Sequence, residues 1–120
     1  MKKLLQIVLV SSLSLLCFSC YYDNETVVIP DVTDAVFFSN DIQPILSKCV
    51  GCHGGNVNPD LREGNSYDAL VPDYVTAGDA DNSDLYNYLP GNGHHSVNLE
   101  LSVDEIALIK AWINQGAKNN

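Results

Sequence analysis

The chain has 120 residues, enough for one small domain. Its 15 acidic residues against six basic ones give a formal net charge of −9, which argues against nucleic acid as a partner, because phosphate binding needs basic patches. With only four cysteines, three histidines and one methionine, the placement of each of these residues carries weight.

The N-terminus reads as a secretory signal. Lys2 and Lys3 form a basic start, and Leu4 to Leu16 form an apolar run too short for an ordinary transmembrane helix. The run ends Leu16-Cys17-Phe18-Ser19-Cys20. A small residue just before a cysteine resembles a bacterial lipobox, so residues 1–19 are expected to be cleaved and Cys20 to be lipidated. Cys17 is a poorer site because Leu16 precedes it, and an ordinary cleaved signal is the alternative. Cleavage removes two basic residues and no acid, leaving a formal charge of −11, read first as solubility. Residues 20–34 are polar and acidic apart from Val27, Val28 and Ile29, and read as a tether. Residues 35–120 form the domain, with no internal repeat.

A first helix is predicted to start at Ser39 or Asn40, either of which can cap it. Asp41 suits the first turn electrostatically, and Pro44 is tolerable near the start. Ile42, Ile45, Leu46 and Cys49 make an i, i+3, i+4, i+7 stripe.

That helix leads into Cys49-Val50-Gly51-Cys52-His53, the Cys-x-x-Cys-His pattern of c-type haem attachment. Two thiols one helical turn apart can each bond a different vinyl group of one haem, and His53 then lies where it can bind iron. Gly51, Gly54 and Gly55 allow the backbone to turn closely there. A thioredoxin-like pair also uses Cys-x-x-Cys but belongs in a βαβ setting, and no strand pattern flanks the motif. A zinc site needs four ligands, and the adjacent His94 and His95 lack finger spacing. A disulfide across two residues would leave His53 without a role. With Cys20 lipidated and Cys49 and Cys52 on haem, no thiol remains for a disulfide.

Ser66–Leu70 and Ser83–Leu89 are each expected to form a short helix, the second opened by Asp84 and ended by Pro90-Gly91. The last helix is the clearest. Ser102-Val103-Asp104-Glu105 is a capping box. Ile106, Ile109 and Ile113 form an apolar stripe widened by Ala107 and flanked by Trp112, and Gly116 stops it. So small a domain has a thin core, which a covalently held haem would staple.

The chain resembles a class I c-type cytochrome, more narrowly the planctomycete-type single-haem domains of bacterial lipoproteins. The matching residues are Phe38, Asp41, Ile42, Pro44, Ile45 and Leu46 before Cys49-x-x-Cys52-His53. Leu61, Tyr67, Leu70, Gly78, Ser83, Leu85, Tyr86 and Leu89 follow in order. The ending Leu101-Ser102-x-x-Glu105-Ile106-x-x-Ile109-x-x-Trp112-Ile113-x-x-Gly116-Ala117 also matches. The resemblance implies an all-α, cytochrome c-like domain with first and last helices crossing around one haem c. It implies electron transfer with redox partner proteins rather than enzymatic turnover, in the cell envelope, lipid-anchored and facing the periplasm or outside. Such domains usually place a Met-Pro pair shortly before the last helix, and its methionine is the second iron ligand. Here Val97 and Asn98 stand in that place, and Met1 is the chain's only methionine. His95, nearer the methionine position, or His94 is therefore expected to bind iron opposite His53. A haem sensor or haem enzyme with an open sixth site is the second reading, and a haem-free binding lipoprotein the third.

Overall fold

The computed structural model describes Met1, residues 28–95 and residues 97–120. The signal segment, Cys20, the start of the tether and Ser96 lie outside the described residues. Among the described residues the chain is helical and has no strand, compatible with an all-α class. No helix among them is long and apolar enough to cross a membrane.

Helix α1 is a composite of a π-helical turn (Phe38–Ile42), an α-helical turn (Gln43–Leu46) and a 3₁₀ turn (Ser47–Cys49). Neither Ser39 nor Asn40 caps it. The helix begins at Phe38, and the N–H of the preceding Phe37 donates to Asp41 Oδ2 at 2.7 Å. The earlier start places Phe38 in the core. Pro44 lacks an N–H, and its ring crowds the carbonyl four residues back. The wider π turn directly before it, in which the Gln43 N–H donates to Phe38 O, accommodates that ring. Ile42, Ile45 and Leu46 are buried as the stripe demands, and Cys49 is half-buried.

Helices α2 (Ser66–Leu70) and α3 (Asp84–Asn87) are single turns. Ser83 precedes α3 without capping it. It is fully buried, its hydroxyl donates to Asp79 O at 2.8 Å, and it accepts from the Thr76 N–H at 2.9 Å.

Helix α4 (Val103–Asn114) is opened by the complete Ser102–Glu105 capping box. It closes with the two bonds of a Schellman motif: the Ala117 N–H donates to Trp112 O and the Gly116 N–H to Ile113 O. Gly116 has φ +102°, a value that favours glycine. The helix turns further than the stripe alone suggests. Ile106 is only half-buried, whereas Trp112, expected at the flank, is at the centre of the core with Ile109 and Ile113. The reason is Phe38, whose ring centroid lies 5.2 Å from that of Trp112 and 5.2 Å from that of Tyr67. These aromatic contacts bind the start of α1, α2 and α4 into one core.

Polar contacts finish the joint. The amide of Gln115 donates to Asp34 O and its oxygen accepts from the Val36 N–H. The backbone of Phe38 and Ser39 donates to Asn120. Gln43 is buried between α1 and α2, donating to Leu61 O at 3.2 Å and accepting from the Ser66 hydroxyl. The end of the tether is also drawn in, since Ile29 and Val32 are half-buried against the core.

Candidate functional site

The Cys49–His53 pentapeptide continues the helical direction of α1 for one more turn. The Cys52 and His53 N–H groups both donate to Cys49 O, at 3.1 and 2.9 Å. The turn makes Cys49 and Cys52 neighbours along the surface, Cys49 half-buried and Cys52 exposed, both free thiols. Burial pushes the Cys49 thiol above its ordinary pKa, opposed by Lys48 and reinforced by Cys52 and Glu105. Two of the three glycines here are sterically required. A Cβ on Gly54 would meet Val50 O at 2.7 Å, and one on Gly55, which has φ +97°, would meet the Arg62 guanidinium at 2.8 Å. Gly51 faces open space.

His53 is half-buried, and its ring is oriented by the chain that follows. Its Nδ1 lies 3.1 Å from Pro59 O. A carbonyl only accepts, so Nδ1 carries the proton and donates, and the neutral tautomer with that proton has its lone pair on Nε2. Histidine that ligates a metal is oriented in this way, by donation of its other ring N–H to a carbonyl or carboxylate. The loop is closed by the Leu61 N–H, which donates to His53 O at 2.8 Å.

Asp60, Arg62 and Asn65 brace that loop. Arg62 donates to both carboxylate oxygens of Asp60, at 2.9 and 2.6 Å, and the Asn65 amide donates to the same carboxylate at 2.9 Å. The Arg62 side chain beside Asp60 holds its carboxyl well below the usual carboxylate range. Glu105 moves in the same direction because it accepts from Lys48 at the end of α1 and from the Ser102 N–H. A carboxyl lowered on folding stabilises the fold above its unfolded pKa and loses that contribution as pH falls toward the folded value. Asp60→Asn is therefore expected to lower the melting temperature modestly at pH 7, with the gap to wild type narrowing progressively as pH is lowered from about 5 to about 2. Melts across that range check it, and a gap that widens in acid would contradict the assignment.

The loop after α3 brings in the second histidine pair. The Asn92 N–H donates to Leu89 O at 2.8 Å and its side-chain amide to Tyr86 O at 3.3 Å. Gly93 has φ +110°, and a Cβ there would strike Asn87 O at 2.6 Å. His94 follows directly and is half-buried, with its ring centroid 6.2 Å from that of His53 and the planes at 74°. His95 is exposed and its ring centroid lies 4.4 Å from that of His94. The structure thus brings His53 and His94 together from positions 41 residues apart, and leaves His95 outside. Among the described residues no three Cys, His, Asp or Glu side chains converge as a metal cage, so a closed four-ligand zinc site is not assembled from them.

Sequence reasoning missed the Pro59 carbonyl, the Asp60–Arg62–Asn65 brace and buried Gln43. A carbonyl has no residue-type signature, so nothing in the sequence pointed to Pro59. The close spacing of Asp60, Arg62 and Asn65 was the only available hint of the brace.

No family model, curated protein or solved structure matches this chain.

Proposed function

We propose that the chain is a single-haem c-type cytochrome domain that carries electrons in the cell envelope, with its cytochrome c-like core built where α1 and α4 meet. The observation that carries this reading is the Cys49–His53 turn. It presents two free thiols beside an imidazole whose Nδ1 donates to Pro59 O, the arrangement of a histidine that ligates through Nε2. That donor set fits haem c. Cys49 and Cys52 would hold it as thioethers, and His53 would be the proximal ligand. When bound, the haem supplies one-electron chemistry, its iron alternating between two oxidation states.

The chain's own contribution is positioning. Pro59 O fixes the tautomer and the angle of His53, and the Asp60–Arg62–Asn65 brace keeps the loop that carries Pro59 in place. The Lys48–Glu105 ion pair links the end of α1, next to Cys49, to the first turn of α4. Cys20 would carry the lipid anchor, and the partners would be redox proteins at that membrane.

The test is the absorption spectrum and intact mass of the protein exported from a host with haem-attachment machinery. A spectrum that changes reversibly between oxidised and reduced forms, with a mass including one haem, is the expected result. The same mass reads diacylglycerol on Cys20. A folded, colourless product would overturn the haem reading and favour a haem-free lipoprotein.

A further inference from the structure

We propose that His94, and not His95, is the second axial ligand of the iron, so that the haem is bound by two histidines. This assignment rests on the haem reading above and adds the ligand that the motif does not contain. Four observations carry it.

The first is distance. Two imidazoles on opposite sides of one metal ion, at metal–nitrogen distances of about 2.0–2.1 Å, stand with ring centroids about 6.3 Å apart. The His53 and His94 centroids are 6.2 Å apart. The second is protonation. The Nδ1 of His94 lies 2.9 Å from His95 O, an acceptor only, so Nδ1 donates and the neutral tautomer offers Nε2 to a metal, as in His53. In both rings it is Nδ1 that donates to a backbone carbonyl. The third is burial: His94 is half-buried and His95 exposed. A ring in contact with the domain loses less freedom on binding iron than one in solvent.

The fourth is the mounting of the loop. Asn92 ties it to the end of α3 through two bonds, and Gly93 fits against Asn87 O where no side chain would. His94 is therefore delivered by a turn anchored on both of the preceding residues. Neutral imidazole is a good iron ligand. Methionine ligation raises a haem's potential, so a bis-histidine haem has a lower potential than its Met/His relatives.

The experiment uses the full exported, haem-loaded protein and reads the spin state of the ferric form and carbon monoxide binding to the ferrous form. Wild type is expected to be low-spin, without the charge-transfer band of methionine ligation, and slow to take up carbon monoxide. His94→Ala should become high-spin and bind carbon monoxide at least tenfold faster, and imidazole added to the buffer should restore the low-spin spectrum. His95→Ala should remain low-spin. Should His94→Ala fail to fold, His94→Met carries the test, because it supplies a ligand at the same position and should raise the potential. A haem protein in which His94→Ala stays low-spin, His95→Ala alone changes spin state, or wild type is already high-spin overturns the His94 assignment and leaves the haem reading standing. A wild-type protein without haem overturns both.

Discussion

Replacing Cys49 and Cys52 together with serine is expected to abolish covalent haem completely and to leave a chain that melts far below wild type. On a denaturing gel, the peroxidase-stained band that resists acid-acetone should disappear. The stability loss has a clear origin, because serine disturbs little packing at these positions: Cys52 is exposed and Cys49 only half-buried. What is lost is a covalently held group whose iron–His53 bond and apolar contacts would form only in the folded chain. Loss of a native disulfide from a small domain costs about 2–5 kcal/mol, and the loss of two thioether cross-links is set on the same scale. In a domain of this size each kcal/mol moves the midpoint by about 4–8 °C, so a fall of at least about 8 °C is expected. A double variant that keeps a resistant haem band, or that melts with wild type, would refute attachment at this motif. Each single variant should retain a weaker band through its remaining thioether.

Truncating Trp112 to alanine should produce the largest loss of stability available from one side chain. Trp112 is 1 % exposed, packs on Phe38 and Tyr67, and donates its indole N–H to Lys118 O at 3.0 Å. Removing such a ring costs about 3–5 kcal/mol, through lost transfer energy and the cavity left behind. The melting temperature should drop by about 12 °C or more, read by circular dichroism. The effect should reach beyond the ring, because the indole also holds the tail whose Asn120 accepts from Phe38 and Ser39. A fall of less than about 4 °C would mean that this aromatic joint does not organise the domain.

The two variants separate the proposed haem staple from the protein core. The cysteine pair tests the staple, and Trp112 tests the protein core where α1, α2 and α4 meet. A chain this short has little of either to spare. Haem content should remain measurable in Trp112→Ala at low temperature, since the thioethers do not depend on the indole.

What the sequence determined by itself is what short-range physics specifies. Ser102 and Glu105 complete each other's hydrogen bonds within four residues, so the start of α4 was legible without any tertiary partner. Gly116 marked its end for the same reason. The burial of Ile42, Ile45 and Leu46 followed from helical periodicity, and the α2 turn fell on Ser66–Leu70 as its composition suggested. The Cys49–His53 motif was legible because its chemistry lies in residue types at fixed spacing.

Tertiary structure alone decided the rest, because those features depend on residues far apart in the chain. Trp112 became the centre of the core through Phe38, 74 residues away, and the same contact extended α1 past Ser39. Ser83, expected as the first residue of the short helix, is instead a buried link between loops just before it. Which of His94 and His95 lies beside His53 was the least accessible to sequence, where position alone slightly favoured His95. It turned on where the loop is pinned. Asn92 and Gly93 seat that loop on α3, leaving one ring facing His53 at 6.2 Å and the other in solvent.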